Sequence, residues 1–549
     1  MKHLLEVSHF SFSYAESETP ILNDISFSMK TGETILLLGP SGSGKSSLAL
    51  CINGLFPRSI DGISSGDIYF LGKKIEEYLP GEVNQYVGVV FQDPETQFCM
   101  MTVEDEIAFG LENINLPRAE MDERVKWAAR LMGIENYLSA NIATLSGGLK
   151  QKVALACVLA MKPKLIILDE PTALLDPLST KDFANTIQRL QKELQFSLII
   201  MEHKLDHWIN FTDRCLILTD SGEIMFDGHP RSCFRSHLQQ LKELGIWLPQ
   251  TLLFKEQFLT SNIVPFTVEE LIETMDEVQE MIETSSPHKE SILEARNISF
   301  SRKKIPILQN INFNIPEGAL TAIVGHNGAG KTTLSYLLSG LEKPTSGEVL
   351  LKNRNLTAYS ELELSKNIGY VFQNPEHQFI TESVYSEVAF SLKMQGMDEK
   401  RMDEIIERVL ASFRLKHVEH HHPFSLSQGQ KRRLSVATML VDEQSFIIFD
   451  EPTYGQDANT TKELMNMIES RIQSGVSALM ITHDMELLDS YADHVIVLVD
   501  GEVIFQGTPY QLFSGPKEVL EKAQLQLPLR YEVLKQWKLR SERFATSIH

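Results

Sequence analysis

Two copies of one glycine-rich octapeptide constrain this 549-residue chain more than any other feature. The first reads Gly39-Pro-Ser-Gly-Ser-Gly-Lys45-Ser46 and the second Gly325-His-Asn-Gly-Ala-Gly-Lys331-Thr332. Both fit G-x-x-x-x-G-K-[ST], a loop whose glycines let successive backbone N–H groups turn toward phosphate oxygens. The helix that follows adds its positive N-terminal end. Such a loop needs a buried strand before it, and Thr34-Ile-Leu-Leu-Leu38 and Leu320-Thr-Ala-Ile-Val324 supply one each. Four further motifs follow each loop in the same order. Lys45 and Lys331 lie 286 residues apart, and Glu170 and Glu451 lie 281 apart, as do Gln92 and Gln373. A repeat this long is a duplicated domain rather than a solenoid, so the chain is expected to hold two nucleotide sites.

The first domain is expected over residues 4–228 and the second over 291–510, with a helical tail and linker at 229–290 and a C-terminal helical tail at 511–549. Half-buried alternation in Ile25-Ser-Phe-Ser-Met29 predicts further strands. The apolar run Leu165-Ile-Ile-Leu168 ends in Asp169-Glu170, and Ser197-Leu-Ile-Ile-Met201 ends at Glu202-His203. Phe446-Ile-Ile-Phe449 and Ala478-Leu-Met-Ile-Thr482 are their counterparts. Functional side chains therefore fall at the carboxyl ends of parallel strands, where open α/β sheets bind ligands. In the linker, Leu271 to Ile282 has apolar residues at helical spacing and is read as a helix. Leu525-Gln-Leu-Pro528 echoes Gly245-Ile-Trp-Leu-Pro249.

A net charge of −22 argues against nucleic acid or anionic lipid as a partner for the surface as a whole. Cys51, Cys99, Cys157, Cys215 and Cys233 form no C-x-x-C pair and read as reduced thiols of a cytosolic protein. The N-terminus lacks a long apolar h-region, and no apolar run approaches the ~18–20 residues that span a bilayer. The chain is expected not to cross a membrane and to carry no lipid anchor. His420, His421 and His422 lie in a polar loop without the carboxylate or cysteine spacing of a metal site.

The residue types suit ATP chemistry. Lys45 and Lys331 are expected to reach the β- and γ-phosphates, and Ser46 and Thr332 to hold Mg²⁺. Asp169 and Asp450 suit the magnesium shell, while Glu170 and Glu451 suit polarising a water. Gln92 and Gln373 offer an amide to magnesium or its water, and His203 and His483 a donor to the γ-phosphate. Leu145-Ser146-Gly147-Gly148-Leu149 and Leu426-Ser427-Gln428-Gly429-Gln430 each precede a helix and form a second anion site.

Taken together these motifs resemble the ATP-binding-cassette (ABC) ATPases over nearly the whole chain. The resemblance implies an α/β fold: two P-loop NTPase domains in tandem, each with a mostly parallel sheet core, an antiparallel β subdomain and a helical subdomain. It implies ATP and Mg²⁺ as cofactors and two ATPase halves that pair within one chain. The ATP-binding residues it implies in the first half are Tyr14, which would stack on adenine, then Gly39, Ser41, Gly42, Gly44, Lys45, Ser46, Ser47, Gln92, Ser146, Gly147 and Gly148. In the second half they are Gly325, Asn327, Gly328, Gly330, Lys331, Thr332, Thr333, Gln373, Ser427 and Gly429. In that family each signature serves the ATP held by the other cassette. Ser427 and Gly429 would then join the Lys45 site, and Ser146 and Gly148 the Lys331 site. Some positions depart from the pattern. Arg302 stands where Tyr14 has its counterpart, Gln428 replaces the first signature glycine, and Leu149 replaces the usual glutamine. The loops after the glutamates also differ, Ala173-Leu-Leu-Asp176 against Tyr454-Gly-Gln-Asp457.

A narrower resemblance is carried by Gln92-Asp-Pro-Glu-Thr-Gln-Phe98 and Gln373-Asn-Pro-Glu-His-Gln-Phe379, which are similar to the segment in energy-coupling-factor (ECF) vitamin importers that borders a coupling-helix groove. Phe98, Phe109, Phe379 and Phe390 would floor the groove. Glu95, Glu104, Glu106, Glu376, Glu382 and Glu387 would meet an arginine. The implied partners are a transmembrane coupling (T) subunit and a membrane-embedded substrate-binding subunit, with this chain peripheral on the cytoplasmic face. The fused cassettes and Glu202-His203-Lys204 look most like the ATPases of hydroxymethylpyrimidine and thiamine uptake. A tandem sugar-import ATPase would predict one weakened catalytic site, whereas both glutamates are present. A ribosome-associated translation factor would predict a long basic arm, whereas residues 229–290 hold ten acidic and five basic residues. A DNA-repair ATPase would predict a zinc module and a long coiled coil.

Overall fold

The computed structural model describes residues 3–15, 19–59, 61–173, 175–258, 263–275, 290–394, 396–441, 444–453 and 455–547. The chain divides into two compact units, Met1–Met275 with Asp457–Asn459, and Asp276–Gln456 with Thr460–His549.

In the first unit a six-stranded sheet runs in the order Ile224–Gly228, Arg214–Leu218, Thr34–Leu38, Ser197–Met201, Leu165–Asp169, Val87–Val90. All neighbours are parallel except the Ile224–Gly228 edge. Thr34–Leu38, Leu165–Asp169 and Ser197–Met201 are buried at every residue, as parallel strands covered on both faces must be. Their side chains alternate between two cores. Leu36, Leu38, Ile166 and Leu168 pack with the helices Val103–Asn113, Arg118–Met132 and Gly147–Ala160. Ile35, Leu37, Leu165 and Ile167 pack with an antiparallel sheet ordered Leu22–Met29, Leu5–Tyr14, Gly62–Phe70, Lys73–Lys74.

The second unit repeats this plan. Its six-stranded sheet is Glu502–Gly507, His494–Val499, Leu320–Val324, Ser477–Ile481, Phe446–Asp450, Ile368–Val371, with only the Glu502–Gly507 edge antiparallel. Its antiparallel sheet is Ile305–Pro316, Ser291–Arg302, Ser346–Leu351, Arg354–Asn355, and its helices are Val384–Met394, Glu399–Ser412 and Gln428–Leu440.

Each unit carries a helical tail packed into its own core. The helices Pro230–Ser236, Leu238–Glu243 and Gln250–Phe258 deliver Phe234, Leu241 and Leu252 to the core that holds Leu36 and Ile166, and Phe266, just ahead of the helix Val268–Glu273, joins them. Pro509–Ser514, Lys517–Ala523 and Leu529–Ser547 deliver Leu512, Leu520 and Tyr531 to the core that holds Ala322 and Val324. The predicted Leu271–Ile282 helix is observed only as Val268–Glu273; residues 276–289 lie outside the described residues. The two echoing Leu-Pro segments do the same job. The residue after each proline donates its N–H to an acidic side chain, Gln250 to Asp206 Oδ1 at 2.9 Å and Leu529 to Glu486 Oε1 at 2.6 Å. Asp206 and Glu486 each follow their histidine, His203 or His483, by three residues. All five cysteines are free thiols, and burial pushes Cys51 up to about 12. Among the described residues no helix is long and apolar enough to cross a membrane.

Candidate functional site

Each phosphate loop opens at a strand end and closes on a helix, Lys45–Ile52 or Lys331–Ser339. The residue capping each helix is a left-handed glycine, Gly44 at φ 88° and Gly330 at φ 101°. A side chain at Gly44 would also meet the Ile21 carbonyl at 2.8 Å, so glycine alone fits the turn. Lys45 Nζ donates to the Gly39 and Pro40 carbonyls at 2.8 and 2.9 Å. Lys331 Nζ donates to Gly325 and His326 at 2.8 and 3.0 Å. Burial lowers the Lys45 ammonium below its usual range, against the opposing pull of Glu170 and Asp169.

The carboxylates meet these loops from neighbouring strand ends. The Ser46 hydroxyl lies beside Asp169 and the Thr332 hydroxyl beside Asp450. Burial pushes both carboxyls up to about 6, although those hydroxyls pull them down. Tyr370 Oη donates to Asp450 Oδ2 at 3.3 Å, while Asp450 Oδ1 is buried without a hydrogen-bond partner among the described residues.

Glu170 and Glu451 follow in left-handed backbone, φ 47° and 53°. Each N–H still extends the parallel ladder by one bond, to Met201 O at 2.9 Å and Ile481 O at 3.1 Å. A glutamate is strained in that conformation, and the strain coincides with the residues to which sequence reasoning gave the water-polarising role. Both Glu170 oxygens are held: Oε1 by His203 Nε2 at 2.9 Å and Oε2 by Gln92 Nε2 at 2.8 Å. His483 Nε2 lies 2.8 Å from Glu451 Oε1. Burial works to raise both glutamates, but the histidines and lysines outweigh it and hold both below the usual carboxylate range. Both are therefore ionised at neutral pH, as polarising a water requires.

At the second half's glutamine, the backbone rather than the side chain is tied. Arg432 donates to Phe372 O at 2.9 Å and Gln373 O at 2.5 Å. The first half has Gln151 there, buried with both amide atoms unpartnered among the described residues.

Ser146 and Ser427 cap the helices Gly147–Ala160 and Gln428–Leu440. Ser427 Oγ accepts from Gln430 N, and Gln430 Oε1 accepts from Ser427 N at 3.0 Å, which closes a capping box. Leu149 has no atom for the return bond, so the first cap is the single Leu149 N to Ser146 Oγ bond at 3.4 Å. Tyr14 Oη bonds Ser47 Oγ at 2.8 Å, and its ring meets Phe12 edge-on at 5.2 Å. Arg302 instead pairs with Glu342 at 2.5 Å.

Two of the acidic residues expected to meet an arginine point inward. Glu106 is buried and accepts from Cys99 and Met100 N–H at 2.9 and 2.6 Å. Glu387 is buried and accepts from Thr381 N–H at 2.8 Å. They fold the loop instead of facing a partner. Glu95 and Glu376 pair with Lys150 and Lys431 at 2.5 and 2.6 Å. Phe379 is buried, whereas Phe390, Ile380 and Met101 are exposed. In the histidine run, His422 caps a short turn by accepting from Phe424 N–H at 3.3 Å.

The fold and the strand-end constellation define a tandem pair of ATP-binding cassettes. A family model described as ABC transporter matches residues 22–173 and 308–454, and the chain belongs to that family. It is an ATPase that binds ATP through two such domains. It is 48% identical over 548 residues, 99% of each chain, to a Bacillus subtilis (strain 168) protein provisionally named HMP/thiamine import ATP-binding protein YkoD. Two provisionally named ABC transporter ATP-binding proteins are also similar. The Methanosarcina mazei protein is 37% identical over 96% of this chain and 92% of its own. The Clostridium perfringens protein is 36% identical over 98% and 96%.

Proposed function

We propose that this chain is the energy-coupling ATPase of a membrane importer of the ECF type, taking up a vitamin or its precursor, with hydroxymethylpyrimidine or thiamine as the solute. The observation that supports this most is the 48% identity, over 99% of both chains, to a protein named for HMP/thiamine import. The partners are a transmembrane coupling subunit and a membrane-embedded substrate-binding subunit, and the chain docks on them from the cytoplasmic face.

At each site the loop N–H groups and Lys45 or Lys331 hold the phosphates, and the helix ends at Ser146 and Ser427 offer a further anion site. The oxygen donors Ser46, Asp169 and Gln92, and Thr332, Asp450 and Gln373, fit Mg²⁺, a hard cation; the unpartnered, buried Asp450 Oδ1 supports the fit. With Gln92 nitrogen engaged at Glu170, its ligand atom would be the amide oxygen. When bound, Mg²⁺ neutralises phosphate charge. Glu170 and Glu451 orient and polarise the attacking water, and His203 and His483 fix those carboxylates and donate to the γ-phosphate.

The test is purification of the tagged protein from its native cells in mild detergent, followed by mass spectrometry of what accompanies it. A multispanning subunit and a small membrane-embedded protein carrying a pyrimidine or thiamine are expected. Ribosomal proteins without any membrane protein would overturn the proposal, and a bound sugar would move it to another importer class.

A further inference from the structure

The two halves differ beside the proposed catalytic glutamate. Glu170 is followed by Pro171-Thr172, and Glu451 by Pro452-Thr453; but His203 is preceded by Glu202, and His483 by Thr482. Glu202 is buried at 7% exposure and reaches Thr172, itself 5% exposed. Glu202 Oε1 accepts from Thr172 N at 3.0 Å and from Thr172 Oγ1 at 2.5 Å. Its other oxygen accepts from His203 N at 3.2 Å. One side chain thus joins the turn that leaves Glu170 to the strand end that presents His203. Thr482 is too short to span that distance, and its hydroxyl accepts instead from Asp484 N–H on its own chain segment, at 3.0 Å.

We infer that Glu202 is a positioning residue for hydrolysis at the first ATP site, setting the Glu170–His203 geometry through Thr172, and that the second site works without such a tie. The inference rests on the roles proposed above for Glu170 and His203. The Glu202 carboxylate bonds to Thr172 and to the His203 N–H, so it acts on the backbone that holds the catalytic pair rather than on the nucleotide. Three bonds to one buried side chain hold the turn and the strand end together, and small displacements of a reacting group are costly in rate.

ATP turnover of the purified full chain is measured against ATP concentration for Glu170→Gln, Glu202→Ala, Glu202→Gln and Thr172→Val. Glu202→Ala is expected to remove most of the kcat that Glu170→Gln removes, with KM for ATP within about twofold, the pattern of lost transition-state geometry rather than lost binding. Glu202→Gln, whose amide oxygen still accepts from Thr172, is expected to keep most of the kcat that Glu202→Ala loses. The Glu202→Ala, Thr172→Val double variant is expected to be no slower than Glu202→Ala, since that change already removes the bond that Thr172→Val takes away. If Glu170→Gln is impaired while Glu202→Ala keeps its kcat, the inference falls and the catalytic reading stands. If Glu170→Gln keeps its kcat, the catalytic reading falls first. Should Glu202→Ala not fold, Glu202→Thr, which copies the second half's Thr482, is measured in its place, and an unchanged kcat there overturns the tie.

Discussion

Glu202 also has a titration consequence that is separate from rate. Burial, opposed by the bonds from Thr172, pushes its carboxyl up to about 7 from an ordinary 4.5, with Glu170 pushing the same way and His203 opposing. The folded state therefore holds this proton more tightly than the unfolded chain does. The group costs nothing below pH 4.5 and destabilises increasingly as pH rises through 7. Above that pH the cost is about 3 kcal/mol. Glu202→Gln removes it, so the variant's Tm relative to the parent should be higher at pH 8 than at pH 5. Equal differences at both pH values would reject the assignment. Gln151 is a second buried liability: its amide atoms are desolvated without partners among the described residues, which costs about 1–3 kcal/mol. Gln151→Met keeps the volume and should raise Tm by several degrees in a thermal melt; a lower Tm would mean that the amide is satisfied. Sequence reading met Glu202 only as the neighbour of His203 and passed over Gln151, because a buried Glu and a buried Gln look like surface residues until the fold encloses them.

Helix ends separate the two halves in a way that was partly legible. The Leu149 for Gln430 exchange stood out in the sequence, and the structure converts it into one missing bond of a capping box. Ser427→Ala should therefore cost about 1–2 kcal/mol, more than Ser146→Ala, and Leu149→Gln should stabilise the first unit. Denaturant midpoints at constant m-value would measure all three. Strand ends were legible because an apolar run of four that ends at a polar residue has few other readings in an α/β chain. The direction of Glu106 and Glu387 was not, since acidic residues beside phenylalanines fit a partner groove and a folded loop equally well. The tails were legible as helical segments, but how they are anchored was not. Their anchoring bonds depend on which acidic side chain the fold brings to a lone backbone N–H. Asp489, only 5% exposed, pairs with Arg530 of the C-terminal helix. Arg530→Ala would strand that carboxylate and should cost about 1–3 kcal/mol, discounted because the arginine itself is 44% exposed. A Tm unchanged by the substitution would show that the tail is not held there.

At the scale of the molecule, duplication has kept the chemistry and loosened its surroundings. Glu170, His203, Glu451 and His483 recur, while Gln151 against Arg432, Glu202 against Thr482 and Leu149 against Gln430 do not. Glu170→Gln and Glu451→Gln are each expected to lower ATP turnover by unequal amounts, and the double variant by at least about tenfold, in a steady-state phosphate-release assay. The sheet beneath these sites has its own consequence. Ile166 and Ile167 are joined by one peptide bond, yet they fill different cores. Truncating either to alanine should cost about 2–5 kcal/mol, and the two losses should simply add, as they do for residues far apart. Along these strands, then, nearness in the chain says little about energetic neighbourhood. Residues two apart share a fate, and residues one apart do not.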